Sequence, residues 1–224
     1  MDNNVRTRPI LFNGEMIRAL LNGTKSQTRR IIKPQPPSTH RAWNNHGDDD
    51  LVFFTDHPTQ GDKGNVLHWR CPYGSPGDLL WVRETWRTIA RFDDKSPKQI
   101  EELARNAEVP AQWTGLEYMD GKRVSWEVDG PNQPGRLRPS IHMPRWASRI
   151  TLEVLSVSAE RIQDVSEEDA RAEGVIPLQM DGLSYRPGFE GLWDTINGAK
   201  RGCSWTDNPW VWAVAFRRVT GTAA

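Results

Sequence analysis

Only two cysteines, no excess of either charge and no long apolar run mark this 224-residue chain. Cys71 and Cys203 are too few for a disulfide framework or a four-cysteine zinc site. His68 and Cys71 have a pairing spacing, but no second pair nearby completes a ligand set, so no metal and no cofactor is expected. No stretch approaches the roughly 18 uninterrupted apolar residues of a membrane span. The start, Met-Asp-Asn-Asn-Val-Arg, runs into a short apolar patch at Ile10 to Phe12 and lacks the basic segment and long apolar stretch of a secretory signal. A cytoplasmic protein without a membrane partner is the expectation. The phosphate-cradling glycine loop, the G-x-S-x-G elbow and the zinc deaminase pattern are all missing. With 29 basic and 29 acidic residues, a uniformly basic nucleic-acid coat is also disfavoured.

Beneath that balance the charges are segregated. Between Val5 and Lys33 stand Arg6, Arg8, Arg18, Lys25, Arg29, Arg30 and Lys33 against Glu15 alone, and 131–150 carries four arginines and no acid. Between Glu160 and Glu173, six acids face two arginines. Tryptophan is abundant, with 11 copies, and so large a side chain serves as a core anchor or as a flat stacking surface.

Asn13 and Gly23 bracket a short helix with an apolar stripe of Met16, Ile17, Leu20 and Leu21. Gln27 to Ile32 alternates as a strand that Lys33-Pro34 ends, with Thr28, Arg30 and Ile32 on one face. A strand is predicted over Leu79 to Trp86, and a longer one from Trp146 to Val157 with Trp146, Ile150, Leu152 and Val154 on one face. Ser166-Glu-Glu-Asp169 is a capping box opening a helix that Gly174 closes. Phe189, Leu192, Trp193 and Ile196 recur at helical spacing up to Gly198, and Trp210 to Val219 reads as a terminal strand. Two aperiodic stretches, at about 34–73 and 91–138, read as insertions, the first as a long loop. The second carries a predicted helix over Pro97 to Asn106 and a hairpin of Leu116 to Tyr118 with Val124 to Val128. Strands, a few short helices and no repeated βαβ unit indicate an α+β fold: a single domain over 1–224, built as a small barrel with flanking helices.

Chemistry concentrates in Lys25-Ser-Gln-Thr28-Arg-Arg30. A lysine three residues before a threonine can set its amine beside the hydroxyl. If burial or Arg29 and Arg30 depress its pKa, the neutral amine can act as a base. The same spacing equally fits ordinary solvated residues at a strand start. Glu173 sits at a helix end, where the dipole disfavours a carboxylate, which suits a proton donor but also a solvated acidic face.

Taken in order, Arg8-Pro-Ile-Leu-Phe-Asn-Gly-Glu-Met, Leu21-Asn-Gly-Thr-Lys25-Ser-Gln-Thr28-Arg-Arg30, Pro76-Gly-Asp-Leu-Leu-Trp-Val-Arg-Glu84, Ile162 to Gly174 and Asn208 to Phe216 resemble the ASCH family, whose members have a PUA-like β-barrel. The long form looks like members carried by phages and prophages. A bacterial branch of that family consists of N4-acetylcytidine amidohydrolases with a Lys, Thr and Glu triad. The resemblance implies Thr28 as nucleophile, Lys25 as its base and Glu173 as proton donor, with Arg30 stabilising the oxyanion or orienting Glu173. It implies substrate contacts at Arg29, Trp81, Arg83, Glu84, Trp86 and Trp210, although each tryptophan also fits the core. Two long insertions and Ser26-Gln27 inside the motif depart from the family pattern. The expected activity is removal of an acyl group from a modified nucleoside or base, with N4-acetylcytidine as the leading substrate, free or within RNA, in a bacterial or phage-infected cell. Two alternatives stay open. One is an RNA-binding or RNA-cleaving module with Arg8, Arg29, Arg30, Arg136, Arg138 and Arg145 on phosphates; the other is a phage accessory or assembly protein without catalysis.

Overall fold

The computed structural model describes residues 5–44, 51–55, 66–106, 115–124, 133–180 and 182–219. In chain order the elements are β1 (Thr7–Leu11), α1 (Gly14–Leu21), β2 (Gln27–Ile31), β3 (Arg41–Asn44), β4 (Leu51–Thr55), β5 (Val66–Arg70), β6 (Leu79–Arg83), β7 (Trp86–Arg87), α2 (Pro97–Asn106), β8 (Leu116–Tyr118), β9 (Arg123–Val124), β10 (Thr151–Arg161), α3 (Glu167–Ala172), β11 (Leu178–Met180), β12 (Gly182–Ser184), α4 (Arg186–Asn197) and β13 (Trp210–Arg218). The fold is α+β, mostly sheet. Among the described residues no helix is long and apolar enough to cross a membrane. The chain divides into two compact units, the first within 1–8, 19–79 and 152–219, the second within 9–18 and 80–151.

The first unit is organised by β13. It lies antiparallel between β10 and β2, with Thr28 opposite Val214, Arg29 opposite Ala213 and Arg30 opposite Trp212. Trp210 through Val214 are all buried, so both faces of this strand are covered. Helices α3 and α4 cover one face, where Val165, Ala170, Phe189, Trp193 and Trp205 gather around Val211. The cap of α3 follows the sequence: Ser166 Oγ accepts from Asp169 N at 3.0 Å, which satisfies one of the N–H groups a helix start leaves open.

The stretch expected as a long loop over 34–73 holds a sheet. Strands β3, β4 and β5 pair antiparallel, and Phe54 of β4 meets the rings of Trp69 and Trp210 edge-on, with centroids 5.1 and 5.0 Å away. Each strand spans only four or five residues, too short for its alternation to stand out in a stretch rich in Gly, Asp and Pro. Gln35 joins this segment to β13. Its amide donates to Ile32 O at 2.7 Å and Trp210 O at 2.9 Å and accepts from Trp210 N at 2.8 Å, standing in for a strand after the main chain has turned away.

The second unit centres on β7, β8 and β9. Trp86, Leu116, Tyr118, Met143 and Ala147 form its core, with Trp146 packed against them. Helix α2 spans the predicted residues and buries Ile100 beside Ile89 and Phe92. The predicted hairpin appears as β8 and β9, its continuation over 125–128 lying outside the described residues. Trp146 does not begin a strand. It sits in a 3-10 turn, Arg145–Ala147, which Pro144 precedes, and β10 starts only at Thr151.

Among the described residues the expected barrel is not formed: no sheet closes on itself, and β2 pairs only with β13.

Candidate active site around Lys25 and Glu173

The short connection from α1 to β2 places Lys25. Gly23 turns the chain at φ 75°, Thr24 N and Lys25 N both donate to Ala19 O, and Ser26 N donates to Ala172 O at 2.8 Å. This last bond and the bridge of Lys25 with Glu173 lay the loop against the end of α3. Gly174, at φ 78°, lets the two segments come this close: a Cβ added there would stand 2.8 Å from Ala19 Cβ and 2.9 Å from Lys25 Cβ.

Lys25 and Glu173 are 3% and 4% exposed. Lys25 Nζ donates to Glu173 Oε2 and to the carbonyl oxygen of the same residue, both at 2.8 Å. Burial pushes the Lys25 ammonium below its ordinary pKa; the Glu173 carboxylate opposes that shift, and Arg30 and Arg29 add to it. Removing a cation from water costs more here than one close carboxylate returns.

Arg29 completes the cluster from the opposite side. Its Nη1 donates to Glu173 Oε1 at 3.3 Å and Gln27 Oε1 at 3.1 Å, and its Nε donates to Glu160 Oε1 at 2.6 Å. Nη2 lies 3.2 Å from Asp169 Oδ2, and the guanidinium stands over the Phe189 ring at 5.8 Å. Asp169 and Glu173 are four residues apart and therefore share one helical face. Burial raises the Glu160 carboxyl pKa despite the adjacent guanidinium, and Asp169 and Asp164 push the same way. Neither Glu160 nor Asp169 was nominated from sequence. Their signal was the excess of acid over 160–173, which reads as a solvated face until Arg29 is known to point at it.

Thr28 is buried, and strand alternation puts its side chain with Arg30 on the face of β2 opposite to Arg29. Among the described residues no hydrogen bond joins the Thr28 hydroxyl to Lys25 or Glu173. The nearby Tyr73 phenol has its pKa raised by burial, against the pull of Arg30.

The remaining nominated residues are engaged in structural contacts. In the first unit, the buried Trp210 has Phe54 at its edge and the Arg161 guanidinium 4.5 Å from its ring centroid. In the second unit Trp86 is fully buried against Trp146, with Arg138 over its ring. Both rings take the core alternative. Trp81 is half-buried and covered by the Arg83 guanidinium at 5.2 Å. Arg83 itself donates to the Met143 and Ile141 carbonyls. Glu84 accepts two bonds from Arg149, at 2.9 and 2.8 Å. Of the arginines suited to phosphate, Arg29 and Arg138 are buried, the latter donating to Phe92 O, while Arg136 and Arg145 are exposed.

A cleft of ≈ 580 Å³ adjoins the site. Thr24, Ser26, Arg171, Gly174, Ile176 and Tyr185 are among its walls, so its rim passes Lys25 and Glu173 on either side in sequence. Among the described residues no cluster of three or more His, Cys, Asp or Glu side chains is arranged to hold a metal ion. No family model, no curated protein and no solved structure matches the chain.

Proposed function

We propose that the protein is an amidohydrolase of the ASCH type, with a PUA-like arrangement of its sheets, that removes an acyl group from the exocyclic amine of a modified nucleoside, acetylated cytidine being the substrate of choice. The observation that supports this reading is a buried lysine of depressed pKa, 2.8 Å from a buried carboxylate, three residues before a buried threonine. An amine that loses its proton more readily than free lysine is what a weakly acidic hydroxyl needs as a base.

In this reading Thr28 Oγ attacks the amide carbonyl carbon and its proton passes to Lys25 Nζ. The C–N bond then breaks as Glu173, recharged through its short bond to Lys25, protonates the departing nitrogen. Without that proton the leaving group would be an amide anion, which neutral water does not accommodate. Arg30, on the face of Thr28, stabilises the developing oxyanion. Water attacks the Thr28 ester, releases the acid and restores the hydroxyl. The Thr28–Lys25 hydrogen bond forms only in the substrate complex, as such catalytic contacts often do.

The test is acetate release from N4-acetylcytidine by the purified chain, with Thr28→Ala inactive and still folded. A folded wild-type chain that releases nothing from acylated nucleosides would sink the assignment.

A further inference from the structure

Arg29 was nominated from sequence as a substrate contact, and its geometry excludes that role. Its side chain is 0% exposed, and its nitrogens engage Glu160, Asp169, Glu173 and Gln27. A guanidinium so enclosed cannot reach a ligand. We propose instead that Arg29 is a positioning residue of the amide-hydrolysis site, holding the Glu173 carboxylate from the side opposite Lys25 and tying both to β10 and α3. The proposal rests on the amidohydrolase reading above.

The two carboxylate oxygens of Glu173 have different partners: Oε2 takes Lys25 Nζ at 2.8 Å, and Oε1 takes Arg29 Nη1 at 3.3 Å. A carboxylate held at one oxygen can swing about its bonds, whereas one held at both has its plane fixed. A fork of fixed geometry can serve Glu173, Glu160 and Asp169 together, which a lysine ammonium cannot do as well. Arg29 thus ties the strand carrying Thr28 to the helix ending at Glu173, with Glu160 of β10 as third anchor and the Phe189 ring of α4 behind. Among the described residues, the charged groups that act on Lys25 include Glu173 at the end of α3 and Arg29 and Arg30 from β2. Those facing Arg29 are Glu160, Asp169 and Glu173. Taking away Arg29 removes a like charge near Lys25 and leaves Glu173 to Lys25 alone. Both changes favour the protonated amine.

The experiment follows the Lys25 Nζ resonance against pH in uniformly ¹⁵N-labelled full-length chain, alongside kcat and KM on N4-acetylcytidine. In Arg29→Gln the Lys25 midpoint should rise by about one pH unit, carrying the acid limb of the activity profile with it. kcat should fall on the order of tenfold to a hundredfold while KM holds, since orientation and not binding is lost. Arg29→Lys should bring the midpoint back without restoring kcat. If Arg29→Gln does not fold, the double variant Arg29→Gln with Glu160→Gln, which removes an opposite charge together with it, is measured in its place. An unchanged Lys25 midpoint overturns the proposal, and so does failure of both variants to fold, which would assign Arg29 to stability alone. A shifted midpoint in a chain whose wild type releases no acetate keeps the positioning role and sinks only the amidohydrolase reading.

Discussion

Replacing Gly174 by alanine tests whether the close approach of two segments builds the site. Two costs add. An alanine at φ 78° sits in the left-handed region, which disfavours L-residues by about 1–2 kcal/mol. Its methyl carbon would also stand 2.8 Å from Ala19 Cβ and 2.9 Å from Lys25 Cβ, and neither atom is the far end of a flexible chain. Relieving that overlap requires the Thr24–Lys25 connection to move away from α3, at about 1–3 kcal/mol for overpacking. The expected loss is therefore about 2–5 kcal/mol, or roughly 4–20 °C in Tm for a chain of this size. Gly23 is the internal control: it has φ 75° and nothing within 4 Å of its would-be Cβ, so Gly23→Ala incurs only the backbone cost. Urea unfolding followed by tryptophan fluorescence gives both values. Equal losses within about 0.5 kcal/mol would refute the reasoning, because only the overlap distinguishes the two positions. Gly174→Ala should also weaken the Lys25–Glu173 contact, which a shifted Lys25 titration would report.

Two further outcomes follow from the same unit. Ser166→Ala removes the acceptor for Asp169 N and should cost about 1 kcal/mol in urea unfolding, with Ser166→Asp restoring it; no loss would mean that the cap bond is not formed in solution. Glu160 has its pKa raised above 4.5, so the folded chain holds its proton more tightly than the unfolded one. The stabilisation is full below pH 4.5 and fades as pH rises through the folded pKa. The stability of wild type relative to Glu160→Gln should therefore decline from pH 4.5 upward, and a difference that grows instead would contradict the burial argument.

The elements legible in the sequence are those whose cause is local. Asn13 and Ser166 cap their helices because their side-chain oxygens reach N–H groups three residues ahead, at 2.9 and 3.0 Å. Strand β2 alternates as its pattern implies, and the Lys25–Glu173 pairing joins two residues nominated together. What local pattern could not convey is long-range compensation. Arg29 reads as a solvated base until Glu160, 131 positions away, and the acids of α3 are seen around it. The β3–β5 sheet is stabilised by Phe54 against Trp210, a contact no window in either segment encodes. Glu84 looked available for a ligand because Arg149, its partner, lies 65 residues on.

The double bond pattern from Lys25 to Glu173 has a stereochemical consequence. An ammonium nitrogen carries three N–H bonds, and two of them run to acceptors of one residue, Oε2 and O, at equal lengths of 2.8 Å. Together with the Cε–Nζ bond they occupy three corners of a tetrahedron. The direction of the fourth is thereby fixed by the conformation of Glu173, and in the neutral amine a third of a rotation would turn the lone pair onto one of these acceptors and sacrifice a hydrogen bond. While both bonds are kept, the lone pair of the neutral amine lies along that direction. The end of α3 thus acts as a compass for the amine: it selects not only how readily Lys25 gives up a proton but toward which point in space its basicity is aimed.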